Sequence, residues 1–303
     1  FSLPLMLSGI LQLMFNAVDI IVVGRFSGSQ ALAAVGSTSA LINVFTNLFI
    51  GISLGANVLT ARFYAAGREK EVSETVHTAI TLALVSGIVM ALVGLAFSRG
   101  ALALMGTPDD VIGLSALYMR IYFLGMPFFM LYNYGAAILR AVGDTKRPLL
   151  FLMIAGVINA CLNMVLVIVF KLGVAGVAIA TVISQMISCV LVLRCLCRSE
   201  SSYRLRFSEL GMKGYYLKQI FSVGVPAGIQ STVINFSNVL LQSSVNSFGS
   251  TAMAGYTAAN NLLGFLYVSV NSITQACMSF TSQNYGVGKL KRMDRVLADC
   301  MIL

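Results

Sequence analysis

The sequence predicts an all-α fold, a polytopic transmembrane helical bundle, from its composition and from the spacing of its apolar runs. Of the 303 residues, 58% are hydrophobic and 10% are charged, and the mean hydropathy is +0.87. Soluble domains carry about 25% charged residues, because their surface must face water. The composition therefore excludes a soluble globular protein, and the abundance of aliphatic residues excludes a disordered chain.

Apolar runs long enough to cross a bilayer, about 20 residues each, recur along the chain. They cover residues 2–23, 33–61, 77–98, 116–139, 149–170, 174–194, 219–246 and 252–283. A ninth run begins near residue 296 and is cut short at Leu303. Since the sequence also opens at Phe1 without an initiator Met, it is expected to be a piece of a longer protein.

The basic residues predict the orientation. Sixteen of the 20 Lys and Arg lie after the even-numbered spans, in the segments 62–70, 140–147, 194–218 and 289–295. Because basic loops stay in the cytoplasm, these segments and the N-terminus are predicted to be cytoplasmic, in a multi-pass protein of the plasma membrane. The net charge of +9 belongs to these loops. No segment interleaves aromatic and basic residues as a nucleic-acid surface does.

The two apolar blocks of the chain resemble one another. An offset of 221 residues aligns small and polar positions of the blocks, for example Gly67 with Gly288. An even number of spans separates the copies, so both enter the membrane in the same direction and form a parallel repeat. Two six-helix repeats would need twelve spans, so the second repeat is incomplete in this sequence.

The longest polar stretch separates the blocks and sets the predicted domain boundaries. The domains are an N-terminal lobe of six transmembrane helices at residues 1–197, a cytoplasmic inter-lobe linker at 198–218, and the start of a C-terminal lobe at 219–303. The last of these holds helices 7 and 8 and the beginning of helix 9.

Asp19 is the one acidic residue that falls inside a complete span. A polar stripe with spacings of four, four and three residues follows one face of the first helix: Ser8, Gln12, Asn16 and Asp19. A carboxylate near a helix centre costs roughly 2.5–3.5 kcal/mol on insertion, so it requires a reason. Either Asp19 makes a structural hydrogen bond between helices, or it exchanges a proton or binds a cation. The position favours the second interpretation.

Other spans carry neutral polar side chains. Span 5 has Asn159 and Asn163 on one face, and span 6 has Thr181. Amides and hydroxyls also join helices structurally, so for these three residues both a functional and a structural interpretation stay open. Polar candidates for lining a cavity are Gln12 and Asn16 of span 1 and the stripe of span 7: Gln230, Asn235, Asn238 and Gln242.

The sequence lacks the residue patterns of an enzyme. It has no nucleophile–base pair, no phosphate-binding loop and no cluster of metal ligands, since it holds a single His and its six Cys lie within or at the ends of apolar runs. No catalytic residue, bound metal or cofactor is predicted.

Several motifs, in this order and at these spacings, resemble the multidrug and toxic compound extrusion (MATE) family over essentially the whole chain. They are Pro4, DIIVVGR at 19–25, ALAAVG at 31–36, LRAVGDTKRP at 139–148, GVAGVAIAT at 173–181 and GVPAG at 224–228. The resemblance implies two six-helix lobes around a V-shaped cavity that opens alternately to the two sides. It also implies antiport: a monomeric transporter in the lipid bilayer exports amphipathic, cationic small molecules in exchange for H⁺ or Na⁺.

The same resemblance implies residue roles. Asp19 matches the cation-coupling Asp of helix 1, and the site is completed by polar positions on helices 5 and 6, matched by Asn159, Asn163 and Thr181. Some family members have an acidic residue where this sequence has Asn163, which leaves Asp19 as the titratable group. Span 7 also lacks an acidic residue, which favours the DinF-like branch and proton coupling over the branch typified by norfloxacin exporters.

Two other functions are alternatives to export. The first is that of a lipid-linked oligosaccharide flippase of the same superfamily. Its anionic pyrophosphate cargo calls for several basic residues facing the cavity, and only Arg120 falls inside a span. A receptor or an assembly scaffold would need neither a parallel repeat nor a buried Asp.

Overall fold

A computed structural model of the chain describes residues 2–104, 109–246 and 250–302, and every regular element in these ranges is helical. Only the backbone is described at residues 29, 33, 37, 39–40, 44, 109–110, 234–236, 238–240, 242–246, 250–262 and 265. The α-helices are α1 Ser2–Phe26, α2 Ser29–Ala65, α3 Glu69–Leu104, α4 Asp109–Leu124, α5 Met126–Ala141, α6 Lys146–Asn163, α7 Gly173–Cys197, α8 Gly214–Asn246, α9 Ser250–Gly286 and α10 Leu290–Ile302.

The helices follow the predicted spans, with one break that the hydropathy did not indicate. Span 4, predicted as one helix over 116–139, consists of α4 and α5, which meet at an angle of 48°. Pro127 in the first turn of α5 causes the break, because its ring cannot continue the hydrogen bonds of the preceding helix. Within the described residues, five helices have the length and apolar composition of a membrane span. The bent pair of α4 and α5 makes a sixth span if the two helices are counted together.

The 221-residue offset reappears in the helix boundaries. The bounds of α2 and α9, both 37 residues long, differ by 221 at each end, and the first residues of α3 and α10 differ by the same number. Gly67 and Gly288, which follow α2 and α9, have φ angles of 68° and 72°. Their N–H groups donate to the carbonyls of Tyr64 and Tyr285 at 3.2 and 3.1 Å. Glycine suits both positions, because other residues rarely adopt positive φ.

Helix α5 forms the centre of the first block. It packs against α2, α3 and α7, and most of its residues are buried, including Met130, Tyr134 and Ile138. Large apolar side chains on the outside of the bundle stay exposed, such as Leu92 and Phe97 of α3 at 63% and 66%. Such an apolar exterior suits a lipid environment and would be costly in water.

The two blocks meet along α2, where it crosses α8. A methyl group added at Gly224 would lie 2.6 Å from Ile52 Cα, and one added at Gly228 would lie 2.6 Å from the carbonyl oxygen of Leu48. On the facing helix, a methyl at Gly51 or Gly55 would collide with the backbone of α8. Small residues allow transmembrane helices to approach this closely, so the glycines determine the separation of the two helices.

Polar contacts join α9 of the second block to α2 and α5 of the first. Ser279 Oγ donates to Asn57 Oδ1 at 3.1 Å, and Asn57 Nδ2 donates to the carbonyl of Ala137 at 2.7 Å. Gln283 Nε2 donates to the carbonyl of Ala141, also at 2.7 Å. These contacts lie toward the ends of α2, α5 and α9. This end of the bundle, where α2, α5, α7 and α9 finish and most Lys and Arg lie, is called the basic end below.

The predicted linker, residues 198–218, folds against the first turns of α3. The Arg206 N–H donates to Nε2 of the buried His77 at 3.1 Å, and Lys213 Nζ donates to Glu74 Oε1 at 2.6 Å. Its last residues belong to α8, which begins at Gly214, five residues before the predicted span. The early start follows from Tyr216, which is buried and packs edge-on against Phe63 with a centroid distance of 6.0 Å.

The Lys213–Glu74 pair predicts a pH dependence of linker docking. The hydrogen bond from Lys213 lowers the pKa of Glu74 below its ordinary 4.5. A lowered carboxyl pKa stabilises the docked state above the unfolded pKa, and this stabilisation is lost as the pH falls through the folded pKa. Below about pH 4.5, the hydrogen-exchange protection of the linker, corrected for intrinsic rates, should therefore fall.

Lys213→Met should lower this protection about two- to fivefold at neutral pH, as expected for an exposed ion pair, and should remove its decline in acid. The matched control is Lys218→Met, another exposed Lys of the linker that forms no ion pair among the described residues. Equal protection of wild type and Lys213→Met at pH 7 would show that the pair does not hold the linker.

Candidate functional site

Asp19 is buried between α1 and α6, with 8% of its surface exposed. Asn163 Nδ2 donates a hydrogen bond to Asp19 Oδ1. One turn earlier on α1, the ring of Phe15 occupies the space that a side chain at Gly156 would need. Because Gly156 shares a face of α6 with Asn163, its missing side chain lets the two helices approach and brings the amide to the carboxylate.

A chain of hydrogen bonds leads from Asp19 to α7. Asn163 Nδ2 also donates to Asn159 Oδ1 at 3.1 Å, and Asn159 Nδ2 donates to Thr181 Oγ1 at 3.5 Å. The Thr181 hydroxyl donates to the carbonyl of Val177 at 2.9 Å. The structure thus brings together all four residues of the predicted coupling site, from three helices.

One acceptor of this cluster lacks a partner. The side-chain oxygen of Asn163 is buried and has no hydrogen-bond partner within the described residues. A buried unsatisfied acceptor costs about 1–3 kcal/mol. Carboxylate and amide oxygens are also the ligands that hard cations use, and a carboxylate can hold a proton. The cluster is therefore chemically suited to hold H⁺ or a small cation at Asp19.

The helix that carries Asn159 and Asn163 changes geometry directly after the site. Residues Met164–Val169 form a π-helix, in which the Phe170 N–H donates to the carbonyl of Val165 at 3.1 Å. Lys171, with φ of 53°, follows this segment. Wide turns of this kind frequently occur at functional sites. The sequence analysis missed it, since the apolar run 164–169 carries no signal for this geometry.

Two tyrosines of α4 lie near the carboxylate. The rings of Tyr118 and Tyr122 stack with centroids 6.1 Å apart, and both are close enough to Asp19 to interact with it electrostatically. Arg120, between them in sequence, points outward and is exposed. The sequence carries no signal that connects these tyrosines with Asp19.

The polar stripe of α1 leads from Asp19 into a pocket of about 220 Å³. The pocket lies between α1, α5, α9 and the start of α6, and both Gln12 and Asn16 line it. Arg140 also lines it, which corrects the sequence analysis: this residue belongs to the last turn of α5, not to a loop. Arg140 is the one basic residue in the lining, fewer than a pyrophosphate-bearing cargo would require.

Of the polar stripe predicted for span 7, the structure describes one side chain, that of Gln230. Gln230 of α8 is exposed and does not line the pocket, because α8 turns its Gly224 and Gly228 face toward α2 and thereby turns Gln230 away. The side chains of Asn235, Asn238 and Gln242 lie outside the described residues.

The chain is similar in sequence to known proteins. The sequence model of the MatE family matches residues 4–165 and 226–303. The chain is 35% identical to the probable multidrug resistance protein YoeA of Bacillus subtilis over 306 residues, which cover 98% of this chain and 66% of YoeA. It is 29% identical to the probable multidrug resistance protein YpnP of the same organism, covering 97% of this chain and 65% of YpnP.

Solved structures show the same fold. A crystal structure titled as MATE in the bent conformation superimposes with a TM-score of 0.92 at 22% identity, covering 99% of this chain and 67% of that one. A structure titled as the outward-facing conformation of a multidrug resistance MATE family transporter gives 0.91 at 22% identity, covering 99% and 66%.

The fold, with its apolar helices of membrane-spanning length, is that of a multi-pass membrane protein. The chain belongs to the MatE family, as its match to the family over most of its length shows. It spans about two thirds of the length of the Bacillus relatives, 66% and 65%.

Proposed function

We propose that the protein containing this chain is a secondary active exporter of amphipathic, cationic small molecules and not an enzyme. Export is coupled to the entry of H⁺, as in the DinF-like branch, with Na⁺ as the other candidate ion. The observation that carries the proposal is Asp19, buried in a hydrogen-bonded cluster with Asn163, Asn159 and Thr181. The Bacillus relatives are named as probable multidrug resistance proteins, which supports the same function.

In this proposal Asp19 changes the relative stability of two arrangements of the N-terminal lobe, residues 1–197. Ionised Asp19 accepts the hydrogen bond of Asn163 and attracts a cationic substrate. A proton or cation from the outside neutralises the carboxylate, so α1 repacks against α6 and α7 and the substrate is released. A ligand shifts such an equilibrium only by its different affinity for the two states, so H⁺ and substrate must prefer opposite states.

Alternating access would require the contacts between the blocks to break and reform. The hydrogen bonds among Asn57, Ser279 and Gln283 and the backbone of α5 join the two blocks near the basic end. We place this end and the N-terminus in the cytoplasm of a plasma-membrane protein, following the basic loops. Residues 198–218 then link the N-terminal lobe to the lobe that begins at 219, and a monomer suffices for transport.

The test is efflux by the full-length protein in everted membrane vesicles, with the fluorescent cation ethidium as substrate and an imposed proton or sodium gradient. Ethidium uptake that follows the proton gradient and disappears with an uncoupler is the expected result. Uptake driven by sodium alone would replace H⁺ with Na⁺ as the coupling ion. No uptake above vector control with either gradient would overturn the proposed transport of organic cations.

A further inference from the structure

The pocket beside the polar stripe of α1 contains one cation, Arg140. This residue lies in the last turn of α5, is half-buried, and lines the pocket of about 220 Å³. Within the described residues its guanidinium forms no ion pair, whereas Arg147, in the first turn of α6, pairs with Asp144 at 3.2 Å. A partly buried cation without a counter-charge is costly, and an anion in the pocket would offset that cost.

The remaining pocket wall is polar and uncharged. Its lining contains no Asp or Glu, and amide side chains surround the space: Gln12, Asn16, Asn133, Asn271 and Gln275. Three of the four hydroxyl groups in the lining, those of Ser8, Tyr132 and Ser272, donate to backbone carbonyls at 2.8, 3.1 and 2.7 Å. Asn133 Nδ2 likewise donates to the carbonyl of Phe129 at 2.8 Å. The remaining amides and the Thr145 hydroxyl can face a ligand together with the guanidinium, and because the single charge among these groups is positive, they favour an anion over a cation.

The pocket also has the wrong size for an exported drug. Pockets for drug-sized ligands measure about 300–1,000 Å³, whereas this one suits a headgroup or a small anion. It adjoins a wider surface depression at the basic end, formed by Pro4 and residues 142–146, which shares Thr145 and adds one acidic and one basic residue, Asp144 and Lys146. A ligand can therefore reach Arg140 from the basic end.

We propose that Arg140 and the surrounding amides form a binding site for a phosphate-bearing anion, separate from the exported substrate. A guanidinium fork pairs with two phosphate oxygens at once, and the amides bond the remaining oxygens. The phosphate can come from the headgroup of an anionic phospholipid or from free phosphate. Basic pockets between helices at the cytoplasmic leaflet are suited to lipid headgroups, so the lipid is the expected source.

The bound anion stabilises the packing of α1, α5 and α9 around the pocket. The experiment measures the melting temperature of the full-length protein, purified in a neutral detergent. The additives are short-chain phosphatidylglycerol, short-chain phosphatidylcholine, inorganic phosphate and sodium chloride at matched ionic strength. Phosphatidylglycerol should raise the melting temperature of the wild type. In Arg140→Gln the rise should fall below about one fifth of the wild-type value, because only an occupied site shifts stability.

Arg198→Gln is the matched control, since it removes the same charge from an exposed side chain that lines neither the pocket nor the depression, and it should keep the full rise. A rise with inorganic phosphate as large as that with phosphatidylglycerol would make free phosphate the source. An equal rise with phosphatidylcholine or sodium chloride would overturn the site, as would a full rise in Arg140→Gln.

A second variant covers the case in which Arg140→Gln does not fold. Gln275→Glu keeps the shape of the α9 wall and supplies a carboxylate that competes with an external anion for Arg140. We expect it to abolish the response to phosphatidylglycerol, and an undiminished response would contradict the proposal. None of these variants alters Asp19 or its partners, so loss of this site and loss of ion-coupled efflux are separate results.

Discussion

Asp19→Asn is expected to reduce gradient-driven ethidium efflux by the full-length protein about tenfold or more, to the level of vesicles without the transporter. The amide keeps the shape of the carboxylate and can still pair with Asn163, so the packing of α1 against α6 should survive. It carries no charge and takes up no proton at neutral pH. The gradient would then no longer favour one arrangement of the N-terminal lobe over the other, and export would not be coupled to it.

The measurement compares initial efflux rates, normalised to the amount of protein, in wild type, Asp19→Asn and Asp294→Asn. Asp294 is an exposed acid of α10, so the control removes one carboxylate far from the cluster and should transport normally. If Asp19→Asn transports like wild type, the carboxylate serves only as a hydrogen-bond acceptor between helices. Asn163→Leu should then be the more damaging change, since it leaves the buried Asp19 without its partner.

Gly224→Leu is expected to destabilise the junction of the two blocks by about 3 kcal/mol and to lower the melting temperature by roughly 5–10 °C. Any side chain at this position would meet Ile52 Cα at 2.6 Å and the Ile52 carbonyl oxygen at 2.7 Å. These are backbone atoms, so the clash cannot be relieved by a rotamer change. Helices α2 and α8 would have to separate along their crossing.

The control is Gly100→Leu in α3, where an added methyl group has no atom within 4 Å. Both variants add the same apolar volume to a helix, so the difference in melting temperature reports the close crossing alone. Identical melting of the two proteins would show that α2 and α8 are not held at the described distance.

The repeat was predictable because its signal is local. Gly67 and Gly288 end α2 and α9 in the same way, with φ of 68° and 72°, and the same residue types surround them in the sequence. Helix existence was equally predictable, since hydropathy alone indicates which runs can lie in a bilayer. The break at Pro127 was missed because the apolar run continues across it. The shape of a helix depends on backbone hydrogen bonds that hydropathy does not measure.

The residues of the candidate coupling site could be named from the sequence, but the contacts between them could not. A carboxylate in a span is conspicuous on energetic grounds, and Asn159, Asn163 and Thr181 entered through the family resemblance. Their hydrogen-bonded chain depends on the approach of α1 to α6, which the structure obtains from Phe15 packing over Gly156. Neither residue differs in the sequence from the many other Phe and Gly of the chain.

The amino-acid sequence by itself determined that this protein is a helical membrane protein, that it contains a parallel repeat, and that Asp19 is the one acidic residue inside a complete span. The first property follows from the composition, the second follows from similar residues that recur 221 positions apart, and the third stands out because of the high transfer energy of a carboxylate. Only the tertiary structure decided that Arg140 faces a pocket, that Gln230 faces away, and that Asn163 reaches Asp19. Those outcomes depend on how residues far apart in sequence pack, and packing is settled by the shapes of several helices together.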